Sequence, residues 1–325
     1  MTHAMVIDAT GGPEVMQWRE QDRAPPGPGE LRVRQSAAGL NFIDVYFRNG
    51  TYKAPSFPFV PGKEGAGTVV SVGRDVTGFA EGDRVAYAGA SGTYAEEINV
   101  AAAGAVRIPE GISDEVAAGI MLKGMTAEYL LRRTFPVGPG HTILIHAAAG
   151  GVGLIAGQWA KHLGATVVGT AGSDDKVRLA LDHGYDHVVN YRTENFVERV
   201  ADITNGAKCD VVYDSVGRDT YPASLDCLKR RGLFVSFGQS SGTIENFDLA
   251  LLNQKGSLYV TRPSLFGYTA TRAELEESAN ALFDVVRSGA VRVRIDQRYP
   301  VSEAARAHRD LEGRRTTGIS ILTMR

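Results

Sequence analysis

"HAAAGGVG", residues 146–153, sets three alanines and three glycines between two apolar runs. Upstream, "TILIH" (142–146) has the length and character of a buried strand. Downstream, "GVGLIAGQWAKHLG" (151–164) carries apolar residues at helical spacing, with Gly164 as its stop. The segment reads as strand, glycine turn and helix. Ala148, Gly150 and Gly153 stand in A-x-G-x-x-G register, the dinucleotide fingerprint with alanine at its first place. Small residues there serve a tight turn, the close approach of a pyrophosphate, and close packing of helix on strand. The helix start at Gly151, Val152 and Gly153 offers N–H groups and a positive dipole end to phosphates. A ligand-free packing turn would show the same glycines; a second strand starting at Thr166 favours the dinucleotide reading.

Working outward, apolar strands alternate with helical stretches from about 121 to 264, the texture of a parallel sheet with crossover helices. Thr142–His146, Thr166–Thr170, His187–Asn190, Val211–Asp214 and Leu233–Phe237 are the strand candidates. Residues 1–120 instead show short alternating runs such as "ELRVRQSAAG" (30–39) and "GDRVAYAG" (82–89), cut by Gly, Pro and Asp turns, which predicts a β-rich, barrel-like domain. Residues 265–325 contain a helix at "TRAELEESANALFDVVRSG" (271–289) and a final strand at "GISILTM" (318–324), and are expected to complete that first domain. The fold class is α/β, with a β-rich domain and a doubly wound Rossmann domain.

At 325 residues, 43% hydrophobic and 22% charged with a net charge of −2, the chain suits a soluble two-domain protein and shows no electrostatic footprint for nucleic acid. The apolar runs are too short to span a bilayer and the start lacks a signal pattern, so a cytoplasmic, membrane-free protein is expected. Cys209 and Cys227, the two cysteines, read as small buried hydrophobes.

An NAD-specific fingerprint would place an acid about 20 residues on, at the end of the second strand. Here "TVVGT" (166–170) runs into "AGSDDK" (171–176), with small neutral residues at that place. A 2'-phosphate meets no repulsion there, and Ser173 and Lys176 are candidates to bind it. Asp174 and Asp175 read as helix-start carboxylates, with ribose binding as the alternative.

The segments "GGPEVMQ" (11–17), "LNFIDVYFRNGTY" (40–52), "PGKEGAGTVVSVG" (61–73), "LKGMTAEYLL" (122–131), "HAAAGGVGLIAGQWAK" (146–161), "VVYDSVGRDT" (211–220), "RRGLFVSFGQSSG" (230–242) and "NQKGSLYVTRPSL" (253–265) resemble the zeta-crystallin-type quinone oxidoreductases of the medium-chain dehydrogenase/reductase superfamily. The resemblance runs nearly end to end. It implies a GroES-like catalytic domain, a Rossmann domain, NADPH as cofactor and a quinone as substrate. It places Asn41, Tyr46, Tyr52 and Lys123 among the catalytic residues, with Asn41 and Thr126 also near the nicotinamide. Tyr191 and Arg314 would complete the 2'-phosphate pocket. Gly238, Gln239, Ser240, Ser241, Leu265 and Phe266 would line the nicotinamide side. Zinc-dependent members take a cysteine and a histidine as ligands where this chain has Asn41 and Lys63, so no metal is expected. Glu64 would then make local hydrogen bonds or form a wall of the quinone cleft, and His3 and His308 stand isolated. A quinone is electron-poor enough to take hydride without a Lewis acid once positioned. Enone or alkenal reduction is the sibling reading, and an RNA-binding or structural crystallin-like role the reading from another class. "GSLYVTRPSL" (256–265) resembles the edge strand through which such proteins dimerise, so a homodimer joined near residues 256–262 is expected.

Overall fold

In the computed structural model, which describes residues 2–324, strands β1 (Thr2–Val6) and β2 (Gln17–Gln21) pair antiparallel ahead of the long strand β3 (Glu30–Gly39). Leu31, Val33 and Gln35 of β3 are buried while Arg34 is exposed, the period-two pattern of a strand with one face on a core. Antiparallel to β3 lies β4 (Glu64–Val72), followed across the sheet by β5 (Arg84–Ala88) and β7 (Ala105–Arg107). On its other side β3 pairs with β6 (Glu97–Ala101). The buried Gln35 is satisfied on both ends of its amide: Nε2 donates to the Thr93 and Ala95 carbonyls, and Oε1 accepts from the Tyr87 hydroxyl at 2.8 Å. Helix α1 (Phe42–Asn49) follows β3 directly, and helix α2 (Asp114–Tyr129) follows β7.

Next come six parallel strands: β8 (Thr142–Ile145), β9 (Thr166–Ala171), β10 (His187–Asn190), β11 (Cys209–Asp214), β12 (Leu228–Ser236) and β13 (Tyr259–Thr261). Their order is β10-β9-β8-β11-β12-β13, the doubly wound arrangement that reverses direction between its first and fourth strands. Strand β11 is buried along its whole length, and it reads in sequence as an apolar run because a parallel sheet is covered on both faces. Helices α3 (Gly151–His162) and α4 (Asp174–Leu181) make the crossovers after β8 and β9. Gly164, at φ 90°, ends α3: its N–H bonds the Lys161 carbonyl and the Ala165 N–H bonds the Ala160 carbonyl, a Schellman stop.

The chain then returns through β14 (Ile295–Pro300) and β15 (Ile319–Thr323), and β15 pairs antiparallel with the last residues of β3. The chain divides into one unit of Met1–Met125, Thr269–Arg287 and Val293–Arg325, and another of Thr126–Tyr268 and Ser288–Arg292. The first unit's core gathers Met5, Leu40, Tyr94 and Leu322; the second's gathers Leu144, Val168, Val212 and Phe234. Cys209 and Cys227 are free thiols buried in that second core, and burial pushes the Cys209 thiol up to about 12. Among the described residues, no helix is long and apolar enough to cross a membrane.

Candidate active site

In the first unit the site is organised by Glu64, the first residue of β4, which has no exposure to solvent. Its Oε1 accepts from the Leu122 N–H of α2 at 2.7 Å. Its Oε2 accepts from Asn41 Nδ2 and from Lys123 Nζ, each at 2.8 Å. Lys123 sits inside α2, only 6% exposed, so its ammonium is spent on this buried pair rather than on the helix surface. Gly39 is the residue that makes room: a Cβ there would lie 2.0 Å from Glu64 Oε2 and 2.7 Å from the Ala118 carbonyl. Glu64 is thus more than a local hydrogen-bonding remnant, because it joins Asn41 to Lys123 across three elements.

Asn41 caps α1 in a capping box with Asp44: the Asp44 carboxyl oxygen Oδ2 accepts from the Asn41 N–H at 2.9 Å. Asp44 Oδ2 also accepts from the Tyr94 hydroxyl at 2.9 Å. Behind Tyr94 lies His308, which is fully buried rather than isolated. Its Nε2 lies 3.1 Å from the Tyr94 hydroxyl and its Nδ1 3.2 Å from Arg48 Nη1. A guanidinium only donates, so His308 Nδ1 accepts and Nε2 carries the proton. Arg48 in turn clasps Glu312 at 2.8 and 2.9 Å. Burial, with help from the Arg48 charge, holds the His308 imidazole down at about 3. Burial pushes the Asp44 carboxyl up to about 7, against the opposing pull of its Tyr94 and Asn41 hydrogen bonds. Tyr46 and Tyr52 meet edge to face at 5.2 Å, and the Tyr52 N–H bonds the Tyr46 carbonyl, which folds the loop after α1 back on the helix.

In the second unit the turn after β8 places Ala147 at φ 55° and Gly150 at the N-cap of α3. A Cβ on Gly153 would lie 2.4 Å from the Ala147 carbonyl and 2.6 Å from that of Ala148, so the turn tolerates only glycine there. Gly150 supplies no side-chain cap, so the first-turn N–H groups of Gly151, Val152 and Gly153 remain available for an anion. The turn is anchored from below by His146, whose ring nitrogens lie 2.9 Å from Thr170 Oγ1 and 2.9 Å from Ser224 Oγ. Asp214, at the end of β11, accepts from Thr220, Ser224 and the N–H groups of Val216 and Gly217. Desolvation lowers the His146 imidazole, opposed by the Asp214 charge.

After β9 the chain passes through Gly172, where a Cβ would lie 2.5 Å from the Tyr191 hydroxyl. The Tyr191 ring thus closes on the backbone just before Ser173, which caps α4 by accepting the Lys176 N–H, and Tyr191 is 40% exposed. Asp174 accepts from Asn190 Nδ2 at 2.7 Å and Asp175 pairs with Arg178, which engages both helix-start carboxylates within the protein. Arg314 lies in the first unit, exposed at φ 56° after the helix Ala304–Glu312. Gly238–Ser241 form the loop after β12. Arg262 steadies it by donating to Gln239 Oε1 at 2.7 Å, and Ser241 Oγ donates to the Val216 carbonyl at 2.8 Å. Thr126 is buried in α2; Leu265 is buried and Phe266 exposed at the start of a short helix. Tyr268 of that helix stacks on Tyr129 at 4.6 Å, and its carbonyl accepts from Arg133 at 2.8 Å. Among the described residues, no three His, Cys, Asp or Glu side chains are grouped to hold a metal ion.

The sequence pattern gives Glu64 only local hydrogen bonds or a place in the cleft wall, does not single out Asp44, Tyr94 or Arg48 for the site, and leaves His308 without a partner. Two signals were present: an acid among small residues in "GKEGAG" (62–67), and Asp44 three residues after an N-cap asparagine.

The family model described as the alcohol dehydrogenase GroES-like domain matches residues 27–131, and that described as zinc-binding dehydrogenase matches residues 151–284. The quinone oxidoreductase of Pseudomonas aeruginosa is 53% identical over 323 residues, covering 99% of each chain. The crystal structure of Escherichia coli quinone oxidoreductase complexed with NADPH matches with a TM-score of 0.97 at 51% identity, covering 99% of each chain. The 2-haloacrylate reductase of a Burkholderia species is 43% identical over 329 residues, again covering 99% of each chain.

Removing one partner of a buried ion pair strands the other charge, at a cost of about 3–5 kcal/mol. Lys123→Met is therefore expected to lower unfolding free energy by about that amount in urea titrations, and Glu64→Gln combined with Lys123→Met to recover more than half of the loss. A double variant no more stable than Lys123→Met alone would show that the pair is not what stabilises this region.

Proposed function

Because this chain belongs to the quinone oxidoreductases of the medium-chain dehydrogenase/reductase superfamily, we infer that it is an NADPH-dependent quinone reductase. The observation that carries this reading is a dinucleotide turn whose second strand, β9, ends in small neutral residues where an NAD-specific turn carries an acid; in the first unit, the Asn41 amide and the Lys123 ammonium are gathered on Glu64. In this reading the glycine turn at Gly150–Gly153 holds the pyrophosphate, and Ser173, Lys176 and Tyr191 hold the 2'-phosphate. The Gly238–Ser241 loop, with Leu265 and Phe266, lies on the nicotinamide side.

NADPH, when bound, supplies a hydride. Asn41, Tyr46, Tyr52 and Lys123 would position a quinone so that one carbonyl oxygen takes up the hydride equivalent and negative charge gathers on the other. A proton, from water or from a tyrosine hydroxyl that water then reprotonates, completes the hydroquinone. Glu64 acts through its partners. Both of its oxygens are occupied by Asn41, Lys123 and Leu122, so it fixes the amide and the ammonium rather than serving as a base. The second reading, reduction of a conjugated C=C bond, is favoured by the 2-haloacrylate reductase among the relatives. Such a bond accepts hydride for the same reason a quinone does, since the charge delocalises onto oxygen.

We further propose a homodimer. Strand β13 is the outer strand of the parallel sheet, with Tyr259 62% and Val260 39% exposed, and an open edge of this kind invites pairing with a second copy. We place the activity in the cytoplasm, a reducing compartment that suits two buried free thiols.

NADPH oxidation is expected to be rapid with benzoquinones and naphthoquinones, slower with enones and absent with simple alcohols or ketones, and unaffected by exhaustive chelation. A preference for enones would instead favour the second reading.

Lys176→Ala is expected to weaken NADPH binding by about 10- to 150-fold, the value of one charge-assisted contact, and to leave NADH binding nearly unchanged. Equal weakening of both cofactors would refute the 2'-phosphate assignment.

Val260→Pro removes an edge-strand donor and is expected to shift light scattering from dimer toward monomer. A native protein that is already monomeric at micromolar concentration would overturn the assembly.

A further inference from the structure

Asp44 is 1% exposed, and its two carboxyl oxygens are unequal. Oδ2 accepts from the Asn41 N–H and the Tyr94 hydroxyl, whereas Oδ1 is buried and has no hydrogen-bond partner among the described residues. An ionised carboxylate would spread its charge over both oxygens and leave the share on Oδ1 without a donor, away from water. A neutral acid instead places its proton there and keeps Oδ2 as the acceptor the capping box needs. The ionisable groups facing Asp44 come from every surrounding element: Arg48 on its own helix, Lys63 and Glu64 at the start of β4, Tyr94, Lys123 of α2, and His308 behind Tyr94. Glu64 and Lys123 already cancel each other. The Arg48 charge is matched by Glu312, and His308 is neutral.

We propose that Asp44 is a positioning residue of the quinone site: held as a neutral carboxylic acid, it clamps Asn41 against Glu64 and keeps the Glu64–Lys123 cluster free of excess negative charge. The proposal rests on the quinone-reductase reading. During hydride transfer the substrate oxygen becomes negative, and a second anion buried beside Asn41 would oppose that charge and draw the Lys123 ammonium toward itself. The raised Asp44 carboxyl, at about 7, puts this ionisation within reach of ordinary assay conditions. The neutral form is kept below that value and lost as pH rises through it.

The test is the pH profile of kcat/KM for the quinone in the native protein, Asp44→Asn and Asp44→Ala. The native profile is expected to fall by about tenfold per pH unit on an alkaline limb with its midpoint near pH 7. Asp44→Asn imitates the neutral acid and is expected to keep the activity seen on the acid side while abolishing that limb. Asp44→Ala releases the clamp and is expected to lose about 100-fold in kcat at every pH, with NADPH affinity unchanged. An alkaline limb that persists in Asp44→Asn would overturn the proposal. Infrared spectra separate this outcome from failure of the functional reading. A protonated-carboxyl band present in the native protein on the acid side and missing in Asp44→Asn is expected whatever the substrate, and its absence from the native protein would also overturn the proposal.

Discussion

A carboxylate cut off from water must be neutralised where it stands, and Glu64 meets that demand with three donors drawn from two helices. The N-cap asparagine of α1, a backbone N–H in the middle of α2 and the neighbouring lysine side chain all converge on it. Each donor is committed by the cost of leaving a buried charge uncompensated. The beginning of α1, the middle of α2 and the first residue of β4 therefore cannot drift apart independently. Gly39 belongs to the same constraint, because any side chain there would occupy the space of the carboxylate. The cluster is rigid for an electrostatic reason and the glycine for a steric one.

Behind this cluster the polarity of the hydrogen bonds has a direction. Arg48 donates to His308, His308 to Tyr94, and Tyr94 to Asp44, so successive donors point toward one carboxyl group. Such a chain stabilises negative charge at its end, while burial disfavours it, and the two effects leave Asp44 near the balance point rather than far to either side. Glu312 at the surface fixes the other end through a two-pronged contact with Arg48.

The second unit uses the same economy at the reversal point of its sheet. His146 directly follows the first strand and Asp214 ends the fourth, and Ser224 bonds both. These contacts tie down the loops on either side of the place where a doubly wound sheet receives its ligand. The glycine turn can remain bare and open because its support comes from below, through side chains that the ligand never needs to displace.

Much of this architecture was legible in the chain. Parallel strands buried on both faces read as short apolar runs, α3 shows its period and its glycine stop, and the fingerprint glycines follow from hard-sphere limits at Ala147 and Ala148 that hold in any context. Period and local sterics act over a few residues, so the sequence by itself determined the α/β class, the glycine turn and the small neutral residues at the end of β9. The partners of Glu64 and His308 are a different matter. Glu64 meets Lys123 across 59 positions and His308 meets Tyr94 across 214, separations at which no spacing rule operates. Whether a lysine on a helix faces solvent or a buried carboxylate, and whether a lone histidine has a partner, depends on which elements pack together. Only the tertiary structure decided those pairings, because the desolvation that makes them obligatory does not exist until the core has closed around them.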